Sequence, residues 1–243
     1  MPLETIFMNT RAAIVFTGNW KAESKAKGLP SRFLPALHEN LLSVIRRLPS
    51  VDLIIASTDL NVLTLTRDGR SIRLRGKTLA EQLSVATDWT FSEGYDQVLL
   101  IAGDIADASE NALQAGFAAL QGPGGRSVVG RSRDGGFWLA GFNRRPDVDW
   151  EMVGLRTPHA ASRLIASLRK SGIPVATVSI VDDIDCLDDA VPVVNRLRLA
   201  RPAFRRRLVS ILASMPPSLS PQLPHFLVRF AASSVIGRAP PSR

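Results

Sequence analysis

Residues 96–104 read DQVLLIAGD. An apolar run this short, Val98 to Ala102, bounded by Gly94 before it and Gly103 after it, reads as a strand buried on both faces. Two carboxylates, Asp104 and Asp107, stand where that strand runs out into a loop. Acids at such a place either cap the next helix or hold a ligand. Ser109 is an equally good cap for the helix expected over 108–121.

Working outward, the same grammar repeats. AAIVF (12–16), VDLIIAS (51–57) and PVATVSIVDDID (174–185) read as further buried strands, the last running into acids. Helical spacing of apolar residues covers 31–47, through Phe33, Leu34, Leu37, Leu41, Leu42 and Ile45. A second amphipathic helix is expected over 78–94, where Thr78 and Glu81 form a capping-box pattern and Gly94 supplies a stop. Helices are also expected over 158–172 and 188–200. Residues 126–142 read as strand, turn at Asp134-Gly135-Gly136, strand, and 63–74 read as a hairpin around Asp68-Gly69. The segment TGNWKAESKAKGLP (17–30) reads as a polar, lysine-bearing loop. Buried strands alternating with helices predict an α/β fold: a mainly parallel, doubly wound sheet with helices on both faces, one hairpin excursion and a basic helical C-terminal extension.

The chain has 243 residues, 45% of them hydrophobic, enough for a substantial core. No stretch reaches the ~18 uninterrupted apolar residues of a membrane span. Residues 1–16 carry Glu4 and Arg11 and do not fit a secretory signal. The one cysteine, Cys186, excludes an internal disulfide framework, fits a reducing cytoplasm and reads as a packing residue. His38, His159 and His225 are far apart and offer no zinc-ligand spacing; His159 reads as a surface residue.

The net charge of +8 is unevenly placed, because residues 201–243 hold seven arginines and no acid. That leaves the first 200 residues close to neutral, with no basic-aromatic pattern of a nucleic-acid reader, so no sequence-specific nucleic-acid partner is expected. The division expected is a main domain over 1–200 and a basic, Arg/Pro-rich extension over 201–243. The two apolar segments of the extension, 201–215 and 225–238, are open to two readings. They pack on the domain with their arginines toward water, or they lie on an anionic membrane surface. The second would make a cytoplasmic protein peripheral to the inner membrane, with a lipid as acceptor.

In an open α/β sheet, ligands bind at the carboxyl ends of the strands, where the acids at 104–107 and 182–185 lie. Hard carboxylate oxygens suit Mg2+ or Mn2+, which offset the charge of phosphates and of a departing diphosphate. Lys21, Lys25 and Lys27, in the segment after the first strand, are candidates for phosphate contact or are an ordinary solvated run. That segment lacks the glycine-rich fingerprints of dinucleotide or P-loop sites. Gly135 and Gly136 permit close approach of a backbone to substrate, and Asp134 is the candidate catalytic group, as a positioning residue or general base; a plain hairpin turn is the other reading. Arg131 and Arg133 flank that turn, and Phe137 and Trp138 either stack on a ligand or fill the core.

Three ordered stretches, GYDQVLLIAGDIADAS, VVGRSRDGGFWLAGF and VDDIDCLDD, together resemble a bacterial family of unknown-function proteins described as GT-A-like glycosyltransferases, or nucleotide-diphospho-sugar transferases. The resemblance runs over roughly residues 12–192. Asp104 matches the acid of the family's first motif, Asp134, Gly135 and Gly136 its second, and Asp183, Asp185 and Asp189 the acids of its third. Lys25-Ala26-Lys27 corresponds to its first-loop Lys-Thr-Arg-Leu. The chain departs from the pattern at Ala106, at Cys186-Leu187 and in the first segment, where NWKAES replaces a Pro-Gly. The resemblance implies a GT-A-like fold and a metal-dependent glycosyltransferase with a nucleotide-sugar donor and an acceptor it does not name. It also implies a shared Mg2+ or Mn2+ between Asp104 and Asp185, with Asp107 in reserve, and Lys77, after Gly76, near donor or acceptor. The alternatives are a nucleotidyltransferase acting on a phosphorylated acceptor, and a non-catalytic protein that binds a nucleotide or a partner.

Overall fold

The computed structural model describes residues 10–63, 70–197 and 202–215. Its centre is a seven-stranded sheet in the order β3-β2-β1-β4-β6-β5-β7. The central pair is β1 (Arg11–Thr17) and β4 (Gln97–Ala102), flanked on one side by β2 (Val51–Ser57) and the short edge strand β3 (Arg70–Arg73). On the other side come β6 (Phe137–Phe142), β5 (Ser127–Ser132) and the second edge, β7 (Val175–Val181). Every pairing is parallel except those of β6, which runs against both neighbours.

The central strands are buried on both faces, and their side chains sort by parity. Ala12, Ile14, Val98 and Leu100 pack on one side with α4 (Leu79–Ser92), α6 (Trp150–Val153) and α7 (Ala160–Lys170). Ala13, Val15, Leu99 and Ile101 pack on the other with α2 (Phe33–Ile45) and α5 (Glu110–Ala119). This period of two explains the continuous apolar run at 98–102, since a strand covered on both sides has no polar face to show. The doubly wound α/β arrangement expected from the sequence is the observed one.

Most helix ends follow the expected chemistry. The Thr78 hydroxyl accepts from Glu81 N, the Glu81 carboxylate accepts from Thr78 N, and together they cap α4. The Ser109 hydroxyl accepts from Ala112 N and caps α5, so Asp107 is not that cap.

Three differences from the sequence reading stand out. The expected polar loop contains a helix, α1 (Trp20–Ala26), capped by Asn19, whose side chain accepts from Ala22 N. Its Ala, Lys and Glu content is helix-favouring, and a helix this short needs no broad apolar stripe. The expected hairpin at 63–74 has residues 64–69 outside the described residues. Its first residue, Leu63, ends the short helix α3 (Leu60–Leu63), and Arg70–Arg73 pairs parallel with β2. Cys186, read as packing, is exposed at the start of α8 (Leu187–Arg196), where its thiol and backbone N–H both donate to Asp189.

A third apolar layer lies outside the sheet sandwich. In it α9 (Pro202–Ala213) buries Leu208, Val209 and Leu212 against Phe33 and Leu37 of α2 and Val193 and Val194 of α8. The apolar residues of the 202–213 stretch therefore face protein. Its arginines do not all face water: Arg205 is buried and its Nε donates to Val194 O, while Arg207 pairs with Glu39 at 2.6 Å. Residues 225–238 lie outside the described residues. No helix among the described residues is long and apolar enough to cross a membrane.

Candidate functional site

The parallel strands end at one edge of the sheet, and a cleft of about 800 Å3 opens there. Its polar wall has a simple origin. Asp104, Asp134 and Asp183 each lie two residues past the last residue of a strand, β4, β5 and β7 respectively. Asn19 and Asp59 hold the same place after β1 and β2, and the Asn19 amide donates to Asp59 at 2.7 Å. Strand β5 shares the direction of β4 and β7 because β6 reverses between them, so the β5–β6 turn delivers Asp134 to the ligand edge.

The loops after β4 and β7 are tied by an isolated antiparallel bridge between Ile105 and Asp183. Within the cleft, Asp134, Asp183 and Asp185 bring one carboxylate oxygen each to within 4.8 Å of one another. Oxygens of this number, hardness and spacing fit a divalent cation. Asp183 is only partly exposed and forms no ion pair among the described residues. Burial, and then the neighbouring Asp134 and Asp185 carboxylates, push its pKa up to about 7. This is the electrostatic mark of an acid cluster short of positive charge.

Lys27 answers part of that shortage. It stands at the C-terminal end of α1, and its Nζ donates to Asp104 Oδ2 at 2.7 Å, to Ile184 O at 2.7 Å and to Asp185 Oδ1 at 3.2 Å. Asp104 and Asp185 are therefore brought together, with the Lys27 ammonium between them. Although burial opposes its charge, Asp104 and Asp185 hold the Lys27 pKa above the ordinary lysine value. Lys21 and Lys25, on the same helix, are exposed and do not line the cleft.

The turn at Asp134 is built for close approach. Asp134 Oδ1 accepts from Gly136 N at 2.9 Å, and Gly135 has φ +96 with its missing Cβ directed at the carbonyl oxygen of Pro158. Gly136, Phe137 and Trp138 line the cleft; Trp138 is otherwise buried, and its Nε1 donates to Ser179 O. Arg133 turns aside to Asp182, which also takes Arg196. Arg131 and His159 are exposed. Asp189 accepts from the backbone of Asp185 and Cys186, so this acid of the third motif holds the turn.

A smaller cavity of about 370 Å3 adjoins the cleft and shares Leu79, Gln82, Leu155 and Arg156 with it. Lys77 lines this cavity and not the main cleft. Three cleft residues had no place among the sequence candidates as site groups. Asp183 matches a motif without a role of its own, and nothing in the sequence marks Glu23 or Arg156. Burial and Asp104 raise the Glu23 pKa, with Lys27 and Arg156 acting the other way. Arg156 has φ +64, uncommon for a residue with a side chain. Asn19, the N-cap four residues before Glu23, is a usable sequence signal for α1; the long-range meeting of Asp183 with Asp134 leaves no local trace.

With this geometry established, comparison with known proteins gives a consistent picture. Residues 45–154 match a family described as "Uncharacterized protein conserved in bacteria (DUF2064)". No curated protein matches this chain. Among solved structures, a proposed nucleotide-diphospho-sugar transferase from Desulfovibrio desulfuricans superposes with a TM-score of 0.71 at 21% identity, covering 92% of this chain and 99% of that one. A homologue, from a Mycobacterium species, of a Mycobacterium tuberculosis protein superposes at 0.52 with 20% identity, covering 85% and 99%. The 4-diphosphocytidyl-2C-methyl-D-erythritol synthase of Anaerococcus prevotii gives 0.51 at 12% identity, covering 78% and 96%. The chain has the fold of nucleotide-diphospho-sugar transferases, and the resemblance read from its motifs holds.

Proposed function

We propose that this chain is a transferase that holds a nucleotide-sugar in the cleft at the carboxyl edge of its sheet and passes the sugar to an acceptor, with a divalent cation on its strand-end acids. The observation that carries the reading is the convergence of Asp134, Asp183 and Asp185, with ligand oxygens within 4.8 Å, on a large cleft of a nucleotide-diphospho-sugar transferase fold. When bound, Mg2+ or Mn2+ would neutralise the donor's phosphates and the charge that grows on the leaving diphosphate.

The chain's own groups divide the remaining work. Asp134, Asp183 and Asp185 are the ligand set, which keeps Asp185 of the pair expected from sequence and takes Asp134 and Asp183 in place of Asp104. Asp104 anchors Lys27. Asp134 sits at the cleft mouth on a turn pinned by Gly136 N, where it can also orient an acceptor hydroxyl or take its proton at Oδ2. Gly135 and Gly136 let substrate approach that backbone. Lys27 is the lysine of the α1 segment placed at the site. Lys77 and Arg156 supply positive charge to the adjoining cavity, on the acceptor side of this reading.

A sugar-nucleotide donor is favoured over a nucleoside triphosphate by the turn after β1. Only Gly18 and Asn19 separate β1 from α1, too short a connection to wrap a triphosphate chain. A thermal-shift panel tests the choice. Nucleotide-sugars with Mn2+ should raise the melting temperature more than nucleoside triphosphates with Mn2+, and removal of the ion with a chelator should cancel the gain. A shift from nucleoside triphosphates alone would turn the reading toward nucleotidyl transfer, and no shift from any of these ligands would leave a non-catalytic protein.

A further inference from the structure

We propose that Lys27 is this chain's own cation for the strand-end carboxylates, and that it competes with a divalent cation for Asp185. The inference rests on the metal part of the function proposed above. It concerns what Lys27 does before any substrate arrives.

An ammonium has three N–H donors. All three of Lys27 are engaged, by Asp104 Oδ2, Ile184 O and Asp185 Oδ1. The side chain is 17% exposed and reaches in from α1, so one residue links that helix to the ends of β4 and β7. In this arrangement Lys27 has no free N–H to offer a phosphate. Asp104 is satisfied at short range, whereas the Asp185 contact is the longest of the three and its carboxylate is the most exposed, at 60%.

Asp185 is also a corner of the acid trio. It therefore belongs to two cation positions that share one carboxylate. A doubly charged ion held by Asp134, Asp183 and Asp185 would stand a few ångströms from the ammonium, and like charges at that range repel strongly in a half-buried site. Asp185 exchanges one cation for the other. Lys27 then keeps Asp104 and Ile184 O and has one N–H released toward the cleft, where an anionic group can take it. Ion binding and anion binding become coupled through a single side chain, and that coupling must be reciprocal.

The test uses the full chain and Mn2+ alone, without nucleotide. Mn2+ affinity is measured by electron paramagnetic resonance for the unaltered protein and for Lys27→Met. Loss of the competitor should tighten Mn2+ binding about tenfold, within the usual range of site-to-site coupling. In parallel, amine acetylation of the unaltered protein is followed by mass spectrometry, with exposed Lys21 and Lys25 as references. Saturating Mn2+ should speed labelling of Lys27 relative to both. Equal or weaker Mn2+ binding by folded Lys27→Met overturns the proposal. So does tighter binding with unchanged Lys27 labelling, because a general field effect gives that result without any exchange of partner. Should Lys27→Met fail to fold, the labelling result decides alone. Mn2+ bound by neither protein removes the metal reading of the cleft and this proposal with it, whereas equal binding to both removes this proposal only.

Discussion

Ile105 and Asp183 form a single antiparallel bridge that draws the loop after β4 across to the loop after β7. One residue to the side of that bridge is Asp104. Backbone pairing, which is indifferent to side-chain charge, thus forces carboxylates from distant parts of the chain into one cleft. The electrostatic penalty falls on Asp183.

That penalty has a sign that can be measured. The Asp183 carboxyl titrates near 7 when folded, against about 3.9 for an unstructured aspartate. A raised value means that the folded chain holds the proton more tightly. This group's contribution to stability is full below about pH 4 and is lost as the pH rises through about 7. Asp183→Asn should therefore melt at the same temperature as the unaltered protein near pH 4 and at a higher temperature at pH 8, in the absence of divalent ions. A variant less stable at pH 8 would mean that Asp183 is held by favourable contacts instead.

The same proton competes with metal. Mn2+ affinity of the unaltered protein should climb steeply between pH 6 and about 7.5, as Asp183 loses its proton. Isothermal titration in buffers of different ionisation enthalpy should register proton release on binding near pH 6.5. Binding without proton release would place the ion away from Asp183.

Gly135→Ala probes the turn that carries Asp134. A Cβ there would run into the Pro158 carbonyl oxygen, and φ +96 is strained for any residue with a side chain. The substitution should destabilise the protein by about 1–3 kcal/mol and weaken Mn2+ binding, because Asp134 can no longer hold its position. Gly94→Ala is the control: Gly94 also has positive φ, +85, but no atom lies within 4 Å of its missing Cβ. It should cost stability alone.

The third apolar layer predicts where the chain can be shortened. Leu208 is fully buried between α2 and α8, so Leu208→Ala should cost roughly 2–5 kcal/mol in urea unfolding. A chain ending at residue 200 lacks α9 and should be much less stable than one ending at residue 215, which keeps it. Vesicle binding is then tested fairly by comparing the full chain with the chain ending at 215. Sedimentation of only the full chain with anionic vesicles at low salt would assign membrane contact to residues 216–243, and equal sedimentation would remove the membrane reading of that segment.

Much of the fold was legible because its signals are local. The runs at 12–16, 51–57 and 96–104 carry strand length, apolar continuity and punctuation together. The Thr78–Glu81 box is a four-residue pattern that formed as read. The α1 helix was missed because its seven residues present no apolar stripe, although Asn19 offered a cap. The site was legible only in its strand-end acids. Asp183 could be seen as one acid among several, but its burial beside Asp134 depends on the β5–β7 pairing, and Lys27 lies far along the chain from both acids it touches. Such meetings are products of topology and leave no periodicity to read.

The placement of Asn19, Asp59, Asp104, Asp134 and Asp183 two residues beyond their strands makes each strand an arm of fixed length with an exchangeable fingertip. The arms are held by apolar residues packed between the sheet and its helices, and the fingertips stand outside those apolar clusters. Chemistry at this edge can accordingly be rewritten one finger at a time. A carboxylate becomes an amide, as Asn19 already is among its acidic counterparts, while the framework that aims it stays as it was.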